Sequence, residues 1–329
     1  MKVTRMNFEN SPTAHITQGH VEAAVRIKVE RGLAATEVLK HERKRPDPLD
    51  FIDVYSEKDI KRDLDKVAIR EKQFVIADAD LRRKDPRGYE ELIRTRKMGK
   101  ALEVIFSDQV DMSNWLGPFA TVVHTSKADD ILNGVDAVLE FSQESKPTER
   151  LALAVDASRS PRSISDKLLR NTDNLLGVTG SHRPQVKYYE SKTFPKGTLY
   201  DVVPVVVGLS GENCDRLVSL FGMILKIQET PGPQRTDVQK NNMRQLMQQM
   251  ETHPAQVIFL KEIQMQLAYY LRRLNAPLPQ TARPNVRKEK IIELLKIVDG
   301  ILDDKETIQP DEQLKQDAVY QAIEKATAW

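Results

Sequence analysis

The chain has 329 residues, of which 40% are apolar and 30% charged, and its 50 basic and 48 acidic side chains leave a formal net charge of +2. This composition is typical of a folded protein and excludes a globally disordered chain. The longest apolar run, around residues 202–209, is too short for a membrane-spanning helix, and the N-terminus lacks the apolar core of a secretory signal. We therefore expect a cytoplasmic protein without membrane contact. A single cysteine excludes an intrachain disulfide and a cysteine-based zinc site.

The first 87 residues are predicted to form a charged, helical region. Imperfect 3.6-residue spacing of apolar residues predicts helix from near residue 11 to residue 40, where the Arg-Pro-Asp-Pro stretch at 45–48 breaks the pattern. A second helix is predicted over residues 56–74, with Ser56 as its N-cap and Phe74 on its buried side.

Most of the positive excess lies within the first 100 residues, in the basic clusters at 43–45, 82–84 and 94–97. Clustered basic side chains suit the phosphates of a nucleic acid, so DNA or RNA is a candidate partner of the basic N-terminal helices. The alternative is a solvated helical surface on which acidic residues are interspersed with the basic ones.

The pattern changes near residue 88 to short apolar strands interleaved with helices, which predicts a layered α/β core over residues 88–229. Pro204 places the last strand at a sheet edge or beside a bulge, because proline cannot donate to a central ladder. The predicted elements are a helix over 89–106, strands over 119–124, 135–141 and 151–156, a helix over 163–176, strands over 186–189 and 202–207, and a helix over 212–227.

The Thr-Pro-Gly-Pro stretch at 230–233 predicts a boundary, and residues 234–329 are predicted to be a helical C-terminal region. Amphipathic spacing predicts helices over 236–250, 254–274, 286–302 and 310–327. These helices are a candidate surface for a protein partner.

Two acidic residues in the predicted strands indicate a candidate site. In the second strand Asp136, Val138 and Glu140 share one face, and we expect that face to be the polar one because the alternating residues are apolar. Asp156 ends an apolar strand, which is costly unless the carboxylate is paired, solvated or bound to a cation. If the two strands are neighbours, Asp136 and Asp156 meet at one end of the sheet and suit Mg²⁺.

This order of elements, with Gly-Val-Asp on the second strand and an acidic residue ending the third, resembles the PD-(D/E)xK nuclease superfamily. The resemblance implies a restriction-endonuclease-like core, a mixed sheet sandwiched by helices, here with helical flanks at both ends. It also implies that Glu103 on the leading helix joins Asp136 and Asp156 as catalytic residues and Mg²⁺ ligands.

The chain departs from the family pattern at one position. The family's lysine on the third strand falls at Ser158, which carries no charge. Some members carry that lysine on a neighbouring helix, which nominates Lys167, with Arg159 as an alternative. The resemblance therefore implies either Mg²⁺-dependent phosphodiester hydrolysis or an inactive relative that binds nucleic acid, and leaves enzymatic activity open.

Two other classes of function stay open. The chain is alternatively a non-enzymatic interaction or scaffold protein that acts through its helical flanks, or a structural part of a larger assembly. Neither a Gly-x-x-x-x-Gly-Lys-Ser/Thr loop nor a Gly-x-Gly-x-x-Gly turn occurs, which disfavours nucleotide hydrolysis and dinucleotide binding. His124, Cys214 and the neighbouring pair Asp129 and Asp130 are interpreted as structural, the pair because it precedes the Asn-Gly turn at 133–134.

Overall fold

The computed structural model describes residues 32–142, 151–178, 183–192, 194–277 and 282–328. The fold is mixed α/β, with a small mixed sheet surrounded by helices, as the sequence predicted. In chain order the elements are α1 (32–39), α2 (Glu57–Lys84), α3 (Pro86–Ser113), β1 (Ala120–His124), α4 (Lys127–Asn133), β2 (Ala137–Phe141), β3 (Leu151–Ser158), α5 (Ile164–Leu176), β4 (Gln185–Tyr189), β5 (Gly197–Tyr200), β6 (Val203–Gly208), α6 (Gly211–Gln228), α7 (Asp237–Glu251), α8 (Ala255–Asn275), α9 (Lys288–Asp304), α10 (Glu312–Lys315) and α11 (Ala318–Thr327).

Most of the predicted N-terminal helix lies outside the described residues. Of the residues that the structure describes, 32–39 form its last part, α1. The predicted N-cap of α2 is confirmed, since the Ser56 side chain accepts a hydrogen bond from the Asp59 N–H. The helix runs ten residues further than predicted, to Lys84. The prediction that Phe74 is buried is wrong: it is 52% exposed, because the buried residues of α2 all lie in the first half of the helix.

The main sheet has the strand order β1-β2-β3-β6. β1, β2 and β3 pair antiparallel, whereas β6 runs parallel to β3 after a crossover that contains α5. The predicted strands are confirmed within a few residues, and β6 lies at the sheet edge, as Pro204 predicted. The sequence interpretation missed two short elements, α4 and β5; the latter pairs with β4 in a separate two-stranded sheet.

Both faces of the main sheet are covered. The prediction that one face of β2 is polar is wrong. Val138 lies on that face and is fully buried, because the β4–β5 hairpin packs Val186 and Leu199 against it. Glu140 is also buried there, and its carboxylate accepts a hydrogen bond from the Tyr189 hydroxyl at 2.8 Å. The sheet is therefore an interior layer, and polar chemistry is confined to its ends.

One large buried cluster packs against the opposite face and draws on all three predicted segments of the sequence. It includes Ala35 of α1, Leu153 of β3 and Leu294 of α9. Phe106 of α3 and Phe259 of α8 meet edge to face within it, with ring centroids 5.5 Å apart. The helices after residue 234 thus help to build the core. Among the described residues, no helix is both long and apolar enough to cross a bilayer.

Side chains of α8 pair with the free edge of β6. Gln266 accepts a hydrogen bond from the Val206 N–H at 2.9 Å and donates one to the Val206 carbonyl at 2.6 Å. Glu262 accepts from the Gly208 N–H at 2.8 Å, and burial raises the pKa of its carboxyl well above the usual value. When the N–H and C=O groups of an edge strand are hydrogen-bonded in this way, few of them are left for another strand to pair with.

The last predicted helix is broken into α10 and α11. Asp317 interrupts it, because its carboxylate accepts hydrogen bonds from the Ser210 N–H at 2.9 Å and from the Val319 N–H at 2.9 Å. The residue thus caps α11 and anchors it beside the end of β6. The other three predicted C-terminal helices are confirmed within two residues.

The close approach of β3 and β6 gives a first test. A Cβ on Gly208 would lie 1.9 Å from the Ser158 carbonyl oxygen. We expect Gly208→Ala to lower the free energy of unfolding by about 3 kcal/mol, because the two parallel strands must separate. Urea unfolding measures this, with Gly232→Ala as control, since a Cβ there meets nothing within 4 Å. Equal urea midpoints for the two variants would contradict the close packing of β3 against β6.

Candidate functional site

Asp136 and Asp156 are brought together where β2 begins and β3 ends. The Asp136 N–H donates to the Val155 carbonyl at 2.9 Å, which continues the pairing of the two strands. The Asp136 carboxylate turns back and accepts a hydrogen bond from the Ala157 N–H at 2.8 Å. Asp136 is therefore held by Val155 and Ala157, the two neighbours of Asp156 in the chain. The prediction that the two strands are neighbours is confirmed.

The local sequence explains how Asp136 reaches this position. Helix α4 ends at Gly134, which adopts the left-handed conformation with φ of 67° that glycine tolerates best. The chain then turns directly into β2. Thr125, which follows β1, holds the turn because its hydroxyl donates to the Val135 and Asp136 carbonyls. The backbone on both sides of Asp136 is thus fixed.

Two further carboxylates face this strand end from helices. Glu103 lies on α3 and receives Lys100 Nζ at 2.7 Å and Arg45 Nη2 at 3.3 Å. Asp130 lies on α4 and receives Arg45 Nη1 at 2.6 Å. Glu103 and Asp130 both act on Asp136 electrostatically. We call these four residues, Glu103, Asp130, Asp136 and Asp156, the carboxylate cluster.

The carboxylates of the cluster hinder one another's ionisation. Burial raises the pKa of Asp136 well above its usual value, and the negative charges of Glu103, Asp156 and Asp130 raise it further. Burial also raises the pKa of Glu103 and that of Asp156, while Lys100 and Lys167 oppose the effect. Such mutual repulsion is typical of sites that hold a cation or a shared proton.

The cation beside Asp156 comes from helix α5. Lys167 Nζ lies 2.6 Å from Asp156 Oδ1, and Arg170 Nη2 lies 3.9 Å from Asp156 Oδ2. Ser158 is buried, and its hydroxyl donates to the Ser160 carbonyl at 3.3 Å, so it serves the local turn. Arg159, the alternative predicted cation, forms its ion pair with Asp215 of α6.

A small cavity of about 110 Å³ lies beside Asp156, which alone of the four cluster residues contributes to its lining. Gly134, Arg170 and Asn171 contribute to its lining. Because Gly134 has no side chain, the guanidinium of Arg170 approaches closely; a Cβ there would lie 3.1 Å from Arg170 Nη2. Asp156 is therefore reachable from outside the sheet.

The donor set of the cluster fits Mg²⁺ in type, since Mg²⁺ prefers oxygen ligands. No three His, Cys, Asp or Glu side chains in the described parts of the chain lie close enough to hold a metal ion together. Mg²⁺ characteristically keeps several water ligands and binds proteins through one or two carboxylates. Asp136 and Asp156, which lie on the paired ends of β2 and β3, are the two carboxylates that could meet that smaller requirement.

Three residues interpreted as structural from the sequence have the following environments. Burial, followed by the charge of Arg43, lowers the pKa of His124 to about 4, so its ring is neutral at pH 7. The Asp129 carboxylate accepts from the Lys187 N–H at 2.7 Å and from the Tyr188 N–H at 3.0 Å, which ties α4 to β4. Burial raises the pKa of Cys214 to about 12, so it remains a thiol.

The sequence did not identify Lys100 and Arg45 as members of the site, and it favoured a loop-shaping or helix-capping role for Asp130. The three-residue spacing of Lys100 and Glu103 on one helix is a signal that could have identified Lys100. Arg45 carries no such signal, because its partners Glu103 and Asp130 are 58 and 85 residues away.

The basic N-terminal clusters are paired largely within the chain. Arg43 binds Asp111 and lies 3.0 Å from Asp108. Arg83 and Lys84 both bind Asp80. Interspersed acidic residues thus offset much of the local positive charge, and contact of these helices with nucleic acid stays a prediction.

Comparison of the chain with protein-family models, with curated proteins and with solved structures gives no match. The function of the chain is therefore inferred from the geometry of the carboxylate cluster.

The repulsion at Asp136 predicts a pH-dependent effect on stability. An acid whose pKa is raised by folding stabilises the folded state fully below its unfolded pKa, and this contribution is lost as pH rises towards the folded pKa. Asp136→Asn keeps an acceptor for the Ala157 N–H and carries no charge. We therefore expect it to stabilise the metal-free protein by about 1–3 kcal/mol at pH 8, and by less at pH 4.

Thermal unfolding at both pH values in a chelator measures this difference. Asp237→Asn is the matched control, because the Asp237 side chain is 94% exposed, and we expect no pH-dependent gain from it. A loss of stability in Asp136→Asn at pH 8 would mean that its charge is compensated in the folded chain.

Proposed function

We propose that this protein hydrolyses phosphodiester bonds of nucleic acid with the help of Mg²⁺, and that the carboxylate cluster is its active site. One observation carries the proposal: the Asp136 carboxylate is fixed alongside Asp156 at a strand end, where burial raises the pKa of both and the charges of Glu103, Asp156 and Asp130 raise that of Asp136 further. A protein gains little stability from such an arrangement, because burying carboxylates is costly even where cations such as Lys100, Arg45 and Lys167 offset part of their charge.

Bound Mg²⁺ would supply Lewis-acid charge to the scissile phosphate and lower the pKa of a bound water. Asp136 and Asp156 are the residues that would hold the ion. The Ala157 N–H orients one carboxylate, and Lys167 orients the other. Glu103, neutralised in part by Lys100 and Arg45, would orient a water molecule on the α3 side of the site.

Lys167 takes the role of the lysine that PD-(D/E)xK nucleases carry on the third strand. Its ammonium group is 2.6 Å from Asp156 Oδ1 and belongs to the first turn of α5. In this position it would balance negative charge on a phosphate bound at Asp156, or orient the attacking water. The helix therefore supplies the charge that Ser158 lacks.

The topology supports the finer fold assignment, a restriction-endonuclease-like core. The order α3, β1, β2, β3, α5, β6 is that of the sequence resemblance, and helices α3 and α5 follow the pattern of a sheet sandwiched by helices. The acidic residues lie where β2 begins and β3 ends, at one end of the sheet.

Hydrolysis of bis(p-nitrophenyl) phosphate, and of labelled single- and double-stranded DNA and RNA, tests the proposal. We expect activity that requires Mg²⁺, and a loss of at least about 100-fold in Asp136→Asn and in Asp156→Asn. Lys167→Met should lose about 10²–10⁴-fold. Asp237→Asn is the control and should retain full activity.

Titration calorimetry with Mg²⁺ gives a second measurement. Binding should disappear in the variant that carries both Asp136→Asn and Asp156→Asn. An inactive wild type whose Mg²⁺ affinity equals that of the double variant would refute the proposal.

An inactive relative that binds nucleic acid is the nearest alternative. It is favoured by Ser158, which is buried and bonded to the Ser160 carbonyl in place of a lysine. This alternative predicts that DNA or RNA binds with the same affinity with and without Mg²⁺ and is never cleaved.

A second candidate function, protein interaction through the helical flanks, is favoured by apolar side chains along the middle of α2. Ile69, Phe74, Val75 and Ile76 are between 52% and 67% exposed. Exposed apolar groups close together often mark a partner surface. The candidate surface thus lies on the N-terminal flank, whereas α8 and α9 contribute to the core.

Light scattering tests this second candidate with a second copy of the chain as the partner. We expect the wild type to self-associate at micromolar concentration, and Val75→Ser with Ile76→Ser to be monomeric. Replacement of two exposed acids on α9, Asp303→Ser with Asp304→Ser, is the control for the number of changes. A monomeric wild type would eliminate self-association through this surface.

A further inference from the structure

A second group of charged side chains lies beside the carboxylate cluster, between α3 and α6. Arg94 of α3 and Arg159, which follows β3, share one carboxylate: each donates a 3.0 Å hydrogen bond to Asp215 of α6. The three side chains are only 21%, 10% and 3% exposed, respectively. These three side chains carry one net positive charge in a largely buried place, and Arg94 Nη1 also lies 3.5 Å from the exposed Glu91 carboxylate.

The two guanidinium groups have more donors than their neighbours accept. The Nε atoms of Arg94 and Arg159 are buried without a hydrogen-bond partner. The remaining contacts of Arg159 are long, 3.3 Å to the Thr95 hydroxyl and 3.5 Å to the Gly211 carbonyl. Buried donors without acceptors are costly, and an anion between the two groups would satisfy them.

Helix α3 connects the group of Arg94, Arg159 and Asp215 with the carboxylate cluster. Thr95, Gly99 and Glu103 are spaced by four residues and so form one row on the helix surface. Thr95 contacts Arg159, and Glu103 belongs to the carboxylate cluster. The two ends of the row are about 12 Å apart along the axis, and a nucleic-acid strand covers that distance in about three to four nucleotides.

Two glycines leave the surface along this row open. A Cβ on Gly99 would have Arg159 Cβ as its nearest neighbour, at 4.0 Å. A Cβ on Gly211, at the start of α6, would meet nothing within 4 Å. Beside Gly99, Arg159 is therefore the first group outside the helix that a phosphate approaching along α3 would meet.

We propose that Arg94 and Arg159, held by Asp215, bind a backbone phosphate a few nucleotides from the scissile bond. This inference rests on the proposed function and narrows it: the substrate is a polynucleotide strand of at least several nucleotides, and a simple phosphodiester fills only part of the site. Arginine suits this role because its planar fork donates two hydrogen bonds to one phosphate.

Comparison of two substrates tests the inference. A 12-nucleotide single strand reaches both groups, whereas bis(p-nitrophenyl) phosphate reaches only the carboxylate cluster. We expect Arg159→Gln to lower kcat/KM for the oligonucleotide about tenfold, the effect of one charged hydrogen bond, and to change hydrolysis of the small diester less than about twofold. Arg159→Lys should recover part of the loss.

Arg216→Gln is the matched control, because Arg216 also lies on α6 but is 54% exposed and pairs with Glu212. It should change neither rate. Thermal unfolding verifies that each variant is folded. If Arg159→Gln does not fold, Arg94→Gln, which alters the more exposed arginine, takes its place in the same comparison.

Binding without metal separates this inference from the proposed function. Anisotropy of the labelled strand in chelator, measured over a range of salt concentrations, should give a salt slope that is smaller by about 0.7 in Arg159→Gln, as expected for one lost phosphate contact. An unchanged slope, or equal losses on both substrates, would make Arg159 a structural residue and overturn the inference. A wild type without hydrolysis but with this slope difference would refute only the nuclease proposal.

Discussion

Repulsion among buried carboxylates is the constraint on which the strand end of this protein depends. Asp136 and Asp156 are held side by side by backbone geometry, and Glu103 and Asp130 add further negative charge from two helices. Lys167, Lys100 and Arg45 offset part of it. A chain that only needed to fold would be more stable with apolar residues there. This cost is the physical basis of the proposal that the cluster holds a cation.

The rest of the fold keeps that strand end rigid. Helices cover one face of the sheet, and the β4–β5 hairpin covers part of the other, so β2 and β3 are fixed along most of their length. The crossover after β3 brings α5, and with it Lys167, back to Asp156. Positioning therefore comes from packed elements, which hold side chains more precisely than a surface loop can.

Much of this architecture could be predicted from the sequence, because β-branched runs and amphipathic spacing are strong local signals. The pair of Asp136 and Asp156 followed from strand alternation and from the motif around Gly134. Burial of Val138 did not, because the hairpin that covers it comes about 50 residues later in the chain. Arg45 was missed for the same reason, since its contact with Asp130 joins segments 85 residues apart. Local patterns predicted the elements; partners distant in sequence decide which faces are covered and which charges meet.

The side chains on the sheet edges have a consequence for aggregation. On one side, Gln266 and Glu262 of α8 occupy the hydrogen-bonding groups of β6. On the other, the Asp111 carboxylate accepts from the Val122 N–H of β1 at 3.0 Å. Open four-stranded sheets are ready templates for a strand from another molecule. Here both outer strands are blunted by carboxylate or amide groups, so growth of intermolecular β-structure from the native state is obstructed at each end.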